Sequence, residues 1–156
     1  MPPAAFSLSA SARSLMAERA EADYPDETCG FVFSSGDNLL VVPMENIQNR
    51  LHAEDPVTHP RTARTAYYFD PREMMRILED HESRGLPLRA IYHSHPDHDS
   101  YFSETDSEAA APFGEPTYPG VVHLVLSVRE RRVVDLKAFD WSDAESRFVE
   151  VAIETR

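Results

Sequence analysis

The sequence predicts an α/β fold of the α+β kind, a single domain over residues 1–156 in which a mixed, mostly antiparallel sheet is flanked by helices. The chain has 156 residues, a common length for one domain. Segments with helical spacing of apolar residues alternate with short apolar segments typical of strands. The last third of the chain carries successive strand-like segments, which favours antiparallel pairing.

Composition excludes several classes of protein. Hydrophobic residues make up 42% of the chain and charged residues 27%, as in ordinary globular domains. The only cysteine, Cys29, excludes an internal disulfide framework and a cysteine-cluster metal site. A net charge of -12 repels phosphate backbones, so we expect no nucleic-acid partner.

The sequence also carries no signal for membranes or export. Its apolar runs stay well below the ~18 residues needed to cross a bilayer, so we expect no membrane association. Residues 1–6 have neither the basic region nor the apolar core of a signal peptide. We therefore expect the protein to reside in the cytoplasm.

The first part of the chain predicts a helix followed by a hairpin. Apolar residues recur at helical spacing over residues 9–22. The apolar segments 29–35 and 39–43 are joined by Gly36-Asp37 and predict a β-hairpin. The polar segment 46–64 has no clear pattern and is long for a connection, which indicates a functional flap or local mobility.

A strand and a well-marked helix follow. The aromatic segment 66–69 predicts a strand. Asp70 can cap the next helix, Pro71 suits its first position, and Glu73 completes a capping box. The helix then continues to Gly85, where a glycine commonly ends it.

The remaining segments are mostly strands. Residues 88–92 predict a strand that leads into a polar cluster, and residues 103–111 predict a short helix. Residues 121–128 and 132–139 are the clearest strand pair, and residues 148–153 predict a final strand.

A catalytic or metal-binding function is indicated most clearly by the segment His93-Ser94-His95-Pro96, followed by Ser103 and Asp106. Residues i and i+2 of a strand project to the same side, so both imidazoles can converge on one ion. Pro96 turns the chain, and Asp106 in the first turn of the next helix can return a carboxylate to that point. Two imidazoles, one carboxylate and a position left for water form a catalytic-type zinc site. Ser103 lies three residues before Asp106 and shares its helix face.

These patterns also have simpler explanations. A His-x-His at a strand end is often structural, and a Ser-x-x-Asp is often only a helix cap. Asp97, His98 and Asp99 lie close in the sequence and are alternative ligands. Spacing alone therefore leaves a metal site and an ordinary loop equally open.

Two nearby residues are expected to be structural. Cys29 lies close to Glu27, but no partner base is evident, so we expect a buried and unreactive thiol. His123 lies within an apolar predicted strand, and we expect a hydrogen-bonded core or edge residue.

The complete spacing, His93-x-His95-Pro96-x6-Ser103-x2-Asp106, resembles the signature of the JAMM (JAB/MPN/Mov34) zinc metalloproteases, in particular their compact prokaryotic members. The signature also has a glutamate after the first helix, at the start of a strand, and Glu27 matches it. The resemblance covers about residues 8–127 and implies a single JAB/MPN-type domain.

The resemblance implies a JAMM-type zinc metallopeptidase, a peptidase or isopeptidase that hydrolyses an amide bond. In that family Zn²⁺ is bound by the residues that match His93, His95 and Asp106, with water as the fourth ligand. Glu27 would activate the zinc-bound water and pass its proton to the leaving amine. Ser103 would stabilise the oxyanion.

The resemblance also implies a partner. Compact prokaryotic relatives are associated with ubiquitin-like and sulfur-carrier proteins, so we expect the bond near the C-terminus of such a carrier to be the substrate. These carriers end in a flexible Gly-Gly tail that could bind by adding a strand to a sheet edge. Two alternatives stay open: a non-catalytic MPN-type interaction module, and a peptidase acting on small peptides or cell-wall fragments.

Overall fold

Helices and strands alternate along the chain in the structure, a computed structural model that describes residues 4–156. Residues 1–3, on which the export-signal argument partly rests, lie outside this range. The helices are α1 (Ala10–Asp23), α2 (Gln48–Glu54), α3 (Pro71–Ser83) and α4 (Glu104–Ala110). The strands are β1 (Phe6–Leu8), β2 (Cys29–Ser35), β3 (Asn38–Met44), β4 (Leu88–Pro96), β5 (Val122–Arg129), β6 (Arg132–Ser142), β7 (Arg147–Val151) and β8 (Ile153–Thr155).

The main sheet has six strands in the order β3-β2-β4-β5-β6-β7. Its neighbours pair antiparallel except for β4 and β5, which are parallel. A parallel pair needs a crossover connection, and here the crossover contains α4. A small second sheet pairs β1 with β8 in parallel. The predicted fold class, a mixed and mostly antiparallel sheet flanked by helices, is confirmed. Among the described residues no helix combines the length and the apolar character needed to span a membrane.

Side chains of the central strands alternate between two faces of the main sheet, as the strand period requires. One face packs against α1, where Tyr92, Leu124 and Leu126 join Met16 in the larger apolar core. We call it the closed face. The other face packs against α3 and the segment 65–69, through a smaller core that includes Phe31, Phe33, Ile91, Phe69 and Met74. We call it the open face, because it also carries the polar residues described below.

The helix boundaries that were most clearly marked in the sequence are confirmed. Ser9 caps α1 by accepting a hydrogen bond from the Ala12 N–H at 3.3 Å. The predicted capping box with Glu73 is wrong, because the Glu73 carboxylate accepts from Arg76 Nε at 3.2 Å instead of from the N-cap backbone. Asp70 itself caps α3 as predicted, by accepting from the N–H groups of Arg72 and Glu73 at 3.0 and 3.2 Å. These caps satisfy N–H groups that have no partner inside the helix.

The segment 46–64, in which the sequence showed no clear pattern, contains the helix α2. Amide side chains bind this helix to the chain that follows it. The Gln48 side chain donates to the Arg61 carbonyl at 3.0 Å, and Asn49 Oδ1 accepts from the Ala63 N–H at 2.8 Å. A helix held by polar tertiary contacts shows no apolar periodicity, which is why the sequence did not predict it.

The prediction of a strand over residues 66–69 was also wrong. The Tyr68 carbonyl accepts from the Ile47 N–H at 3.0 Å, and the Tyr68 N–H donates to Asn46 Oδ1 at 3.1 Å. The Asn46 side chain and the Ile47 N–H thus form the hydrogen bonds that a neighbouring strand would otherwise form. The predicted final strand over 148–153 divides instead into β7 and β8, because the chain leaves the main sheet to pair with β1.

Candidate active site

Strand β4 carries two histidines to the open face at its C-terminal end. The strand extends through the predicted polar cluster as far as Pro96, further than predicted. His93 is fully buried and His95 is 6% exposed. Their rings lie on the same side of the strand with centroids 5.0 Å apart, as expected from their spacing.

Three side-chain atoms meet in front of this strand end. His93 Nε2 lies 3.2 Å from His95 Nε2, and Asp106 Oδ2 lies 3.2 Å from the first and 3.3 Å from the second. Ligands placed tetrahedrally at about 2.0–2.1 Å from a zinc ion are separated by about 3.3 Å. The triangle therefore has the size of one face of a zinc coordination tetrahedron, and these residues form the group that could hold a metal ion.

The hydrogen bonds of His95 indicate why a cation suits this triangle. Its Nδ1 lies 2.8 Å from the Asp99 carbonyl oxygen, which can only accept, so Nδ1 carries the proton. In the neutral ring Nε2 then presents a lone pair toward Asp106 Oδ2, which is also an acceptor. Two acceptors at 3.3 Å repel each other unless a cation lies between them. The donor set therefore fits a divalent metal ion.

Asp106 is held in place by the start of α4. Ser103 is the N-cap residue: its Oγ accepts from the Asp106 N–H at 3.0 Å, and its own N–H donates to Asp106 Oδ2 at 3.0 Å. This reciprocal pair is a capping box. The sequence left a cap and a metal ligand as competing interpretations of Ser-x-x-Asp. In the structure one arrangement serves both, because the cap orients the carboxylate toward the histidines.

The alternative ligands in the loop after β4 lie elsewhere. Asp97, His98 and Asp99 are exposed and outside the three-residue group. The loop is fixed from its other side, since Ser127 Oγ donates to the His98 carbonyl at 2.5 Å and Ser100 Oγ donates to Asp135 at 2.6 Å. A fixed loop holds the carbonyl that orients the His95 ring.

Glu27 reaches the same place through the pairing of β2 with β4. Cys29 pairs with His93, and beyond that pair the Ser94 N–H donates to the Thr28 carbonyl at 3.1 Å. Continuing this antiparallel register sets Glu27 opposite His95 and on the open face. Two hydrogen bonds fix its backbone. The Glu27 N–H donates to the Ala63 carbonyl at 2.7 Å, and the Asn46 side chain donates to the Glu27 carbonyl at 3.0 Å.

The two carboxyl groups of the site have opposite electrostatic environments. Burial raises the pKa of Glu27 well above its ordinary value, and the negative charge of Asp106 raises it further. Burial alone would also raise the pKa of Asp106, but with a proton in place of a metal ion between these atoms, the His93 and His95 rings, together with the Ser103 N–H, lower it well below the ordinary range. Asp106 is therefore kept ionised, as a metal ligand must be, while Glu27 holds a proton more readily.

Aromatic rings pack against both histidines, and the sequence did not predict the ring with the shorter centroid distance, Tyr67. Tyr67 stacks on His93 with centroids 4.7 Å apart, and Tyr101 meets the edge of His95 at 5.1 Å. Because residues 66–69 were predicted as a strand of the sheet, no signal in the sequence placed Tyr67 over the site. The expectation that Cys29 is buried is confirmed, and burial raises the pKa of its thiol, so that it stays protonated and unreactive.

His123 also lies on the open face, on β5. It is 6% exposed and packs against Phe102 and Phe148, each with centroids 5.1 Å away. Among the described residues nothing forms a hydrogen bond with its Nδ1 atom. The expectation that His123 is a core or edge residue of its strand is confirmed, because the ring is buried on β5, but its Nδ1 lies among aromatic neighbours and lacks the expected hydrogen bond within residues 4–156.

Comparison with known protein families agrees with this geometry. Residues 9–142 match the Prok-JAB family, described as prokaryotic homologs of the JAB domain. The chain belongs to this family. The resemblance to compact prokaryotic JAMM proteins is thereby confirmed. The fold of this Prok-JAB protein is similar to that of AF2198, a JAB1/MPN domain protein from Archaeoglobus fulgidus, with a TM-score of 0.55, 15% identity and 99% of each chain covered.

Two relatives of the Prok-JAB protein carry functional names. It is 35% identical to the desampylase of Haloferax volcanii, over 99% of this chain and 100% of that protein. It is 27% identical to the CysO-cysteine peptidase of Mycobacterium tuberculosis, over 80% of this chain and 74% of that protein. The similarity to the first spans the site and the whole sheet.

Proposed function

We propose that this Prok-JAB protein is a zinc-dependent peptidase or isopeptidase of the JAMM type. Its substrate is an amide bond near the C-terminus of a ubiquitin-like or sulfur-carrier protein. The observation that carries the proposal is the convergence of His93, His95 and Asp106 beside a buried glutamate on one face of the sheet. The relatives named desampylase and CysO-cysteine peptidase support both the reaction and the class of substrate.

The metal would be held by the Nε2 atoms of His93 and His95 and by Oδ2 of Asp106. Two imidazoles and one carboxylate are a common ligand set for catalytic zinc, and such sites keep one position open. Zinc, when bound, polarises a carbonyl group and lowers the pKa of water to ~7. The thiol near the site, Cys29, is buried and its pKa is raised, so it is not available as a nucleophile in place of water.

Glu27 acts as general base and then as general acid. Its raised pKa brings the carboxyl closer to neutral pH, where a group can both accept and return a proton. It takes a proton from the attacking water and delivers that proton to the nitrogen of the leaving amine. The fixed backbone of Glu27 keeps the carboxyl at the strand end during both transfers.

Ser103 stabilises the developing oxyanion. Its Oγ accepts from the Asp106 N–H, so the hydroxyl proton remains free to donate. Asp106 would hold the metal in this proposal, so the Ser103 hydroxyl would be near a substrate carbonyl that approaches the same point. A single well-placed donor of this kind changes kcat by about 10²–10³-fold.

The segment 65–69 offers a place for an extended tail. The N–H and C=O groups of Tyr68 point to Asn46 and Ile47, so in an extended chain those of Tyr67 and Phe69 point the other way. Within residues 4–156 these four groups have no hydrogen-bond partner. A Gly-Gly tail can pair with them as an added strand.

A direct test uses a sulfur-carrier protein extended by a few residues beyond its Gly-Gly. The zinc-loaded protein should shorten this carrier to the Gly-Gly end, as measured by mass spectrometry. The Glu27→Gln variant serves as the control that retains the ligand set but lacks the base. An unchanged carrier mass after incubation with protein of confirmed zinc content would contradict the proposal.

The same assay separates the alternatives that the sequence left open. Cleavage of short peptides at a rate equal to that of the folded carrier would favour a general peptidase. Binding of the carrier without cleavage by wild-type, zinc-loaded protein would favour an interaction module.

A further inference from the structure

A cavity of about 300 Å³ opens on the open face directly beside Asp106. Its walls come from several parts of the chain. They include Tyr67 and Phe69 from the segment 65–69, Met74 from α3, Ala109 from α4, Tyr118 from the following loop, and His123 from β5. This volume lies at the lower end of the range for ligand pockets, so it accommodates a side chain rather than a folded partner.

The residues that line the cavity disfavour binding of a charged side chain. Of the described residues that line the cavity, only Asp106 and His123 carry ionisable groups other than tyrosine hydroxyls. Asp106 is engaged by His93, His95 and Ser103. Burial lowers the pKa of His123 to about 4, so its ring is neutral near pH ~7. A charged side chain would lose its hydration here without gaining a partner.

We propose that this cavity is a specificity pocket that receives one bulky uncharged side chain, aliphatic or aromatic, from the C-terminal tail of the carrier. This inference rests on the proposed function. The two glycines at the cleavage site have no side chains, so the occupant comes from a residue that precedes them in the tail.

The position of the free backbone groups identifies the tail as the occupant. Tyr67 and Phe69 both line the cavity and carry the unpaired N–H and C=O groups. An extended chain paired with them projects alternate side chains to opposite sides. One side chain of the tail therefore enters the cavity while its neighbours point away, and the chain continues past Asp106 to the scissile bond.

The size of the pocket depends on small residues of α4. Ala109 and Ala110 form its α4 wall together with Thr105. Ala109 is accessible rather than packed against a neighbouring element, so a larger side chain there can occupy the cavity. Glu108, the preceding residue, is also exposed but does not line the cavity. Leucine is a good helix former, so α4 should tolerate it at either position. At position 109 its side chain would lie inside the pocket, and at position 108 it would lie outside.

The test compares short tails that end in Gly-Gly and are joined to the ε-amine of a lysine peptide. Leu, Phe, Ala, Lys or Glu is placed at each position before the Gly-Gly, and kcat/KM is measured with zinc-loaded protein. At one position we expect Leu or Phe to be cleaved about tenfold faster than Ala, since burying a few methylene groups gives that discrimination. Lys and Glu at this position should be cleaved more slowly than Ala.

The variants locate this preference. Ala109→Leu should remove the tenfold preference for Leu or Phe over Ala, because its side chain fills the pocket. Glu108→Leu should retain the full preference. Tyr118→Ala, which removes a large lining side chain and so widens the pocket, should shift the preference toward Phe and serves if Ala109→Leu does not fold.

The outcomes distinguish this inference from the proposed function. Equal hydrolysis of all tails, a preference that Ala109→Leu leaves intact, or a preference that follows the amine-side peptide would each overturn the pocket and leave the zinc hydrolase standing. Hydrolysis of no tail by protein of confirmed zinc content would overturn both.

Discussion

The two faces of the main sheet are built from the same strands and differ in what they bury. On β4, Tyr92 lies in the apolar core against α1, while the next residue, His93, lies in the candidate metal site. On β5, Leu124 belongs to that core and His123 borders the cavity. Alternate residues of one strand therefore have different roles. Those on the closed face stabilise the fold, and those at the site on the open face position polar groups for chemistry.

The energetics of the two faces differ accordingly. Each large apolar side chain buried on the closed face contributes about 1.5–3 kcal/mol to stability. Among the described residues, the open face holds a buried carboxyl with a raised pKa and two buried imidazole nitrogens without a hydrogen-bond partner, Nδ1 of His93 and of His123, whereas the closed face holds one such polar atom, the Tyr92 hydroxyl. Buried polar groups without partners reduce stability. Substitutions of the polar site residues on the open face should therefore mainly change the rate, whereas those in the apolar core of the closed face should mainly change the free energy of unfolding.

The largest expected effect is on catalysis by the open face. Glu27→Ala should lower kcat by about 10²–10⁴-fold, since a general base is lost, and should leave the zinc content unchanged because Glu27 is not a ligand. Steady-state kinetics and elemental analysis measure the two quantities. Glu18→Ala, which removes an exposed glutamate of α1, is the control and should change neither. Loss of zinc from Glu27→Ala would show that this residue binds the metal.

Ser103→Ala tests whether a residue that caps a helix also acts in catalysis. We expect kcat to fall by about 10²–10³-fold through loss of the oxyanion donor. Loss of the cap should also lower the free energy of unfolding by about 1 kcal/mol.

Ser9→Ala is the matched control, because Ser9 caps α1 in the same way and lies on the closed side. It should show the loss of stability with an unchanged kcat. If Ser103→Ala behaves like Ser9→Ala, Ser103 is only a cap.

On the closed face, Met16→Ala should lower the free energy of unfolding by about 2–5 kcal/mol through a cavity in the core. Met16 is 0% exposed, whereas its neighbour Leu15 is 49% exposed, so Leu15→Ala should have little effect. Urea denaturation measures both variants. The kcat of folded Met16→Ala should equal that of the wild type, and a large decrease would mean that the two faces are coupled.

The smallest expected effect concerns the stability of the metal-free protein. The pKa of Glu27 is raised in the folded state, so ionisation favours the unfolded state as the pH rises above the ordinary value of 4.5. Glu27→Gln should therefore unfold at a higher urea concentration than the wild type at pH ~7.5, and the difference should shrink toward pH ~4. A difference that grows on acidification would contradict the raised pKa.

Local rules predicted some parts of the site well. The common side of His93 and His95 follows from the strand period, and the orientation of Asp106 follows from the capping box that begins α4. The position of Glu27 does not follow from a local pattern, because it is the pairing of β2 with β4 that brings this residue to the site. The sequence indicated that residue through a family resemblance rather than through spacing.

Other features depend on tertiary contacts that no local pattern encodes. Helix α2 is held by amide side chains, and the segment 65–69 is held by Asn46 in place of a strand. The cavity exists because this segment, α3, α4 and β5 meet on the open face. Its shape is a property of the assembled fold.

The central claim is that His93, His95 and Asp106 bind one metal ion, and elemental analysis of purified, dialysed protein tests it most directly. We expect one zinc per wild-type chain, loss of that zinc in His95→Ala, and its full retention in His98→Ala, which removes an exposed histidine of the adjacent loop. A wild-type chain that binds no zinc after incubation with the metal, or a His95→Ala chain that keeps it, would contradict the account.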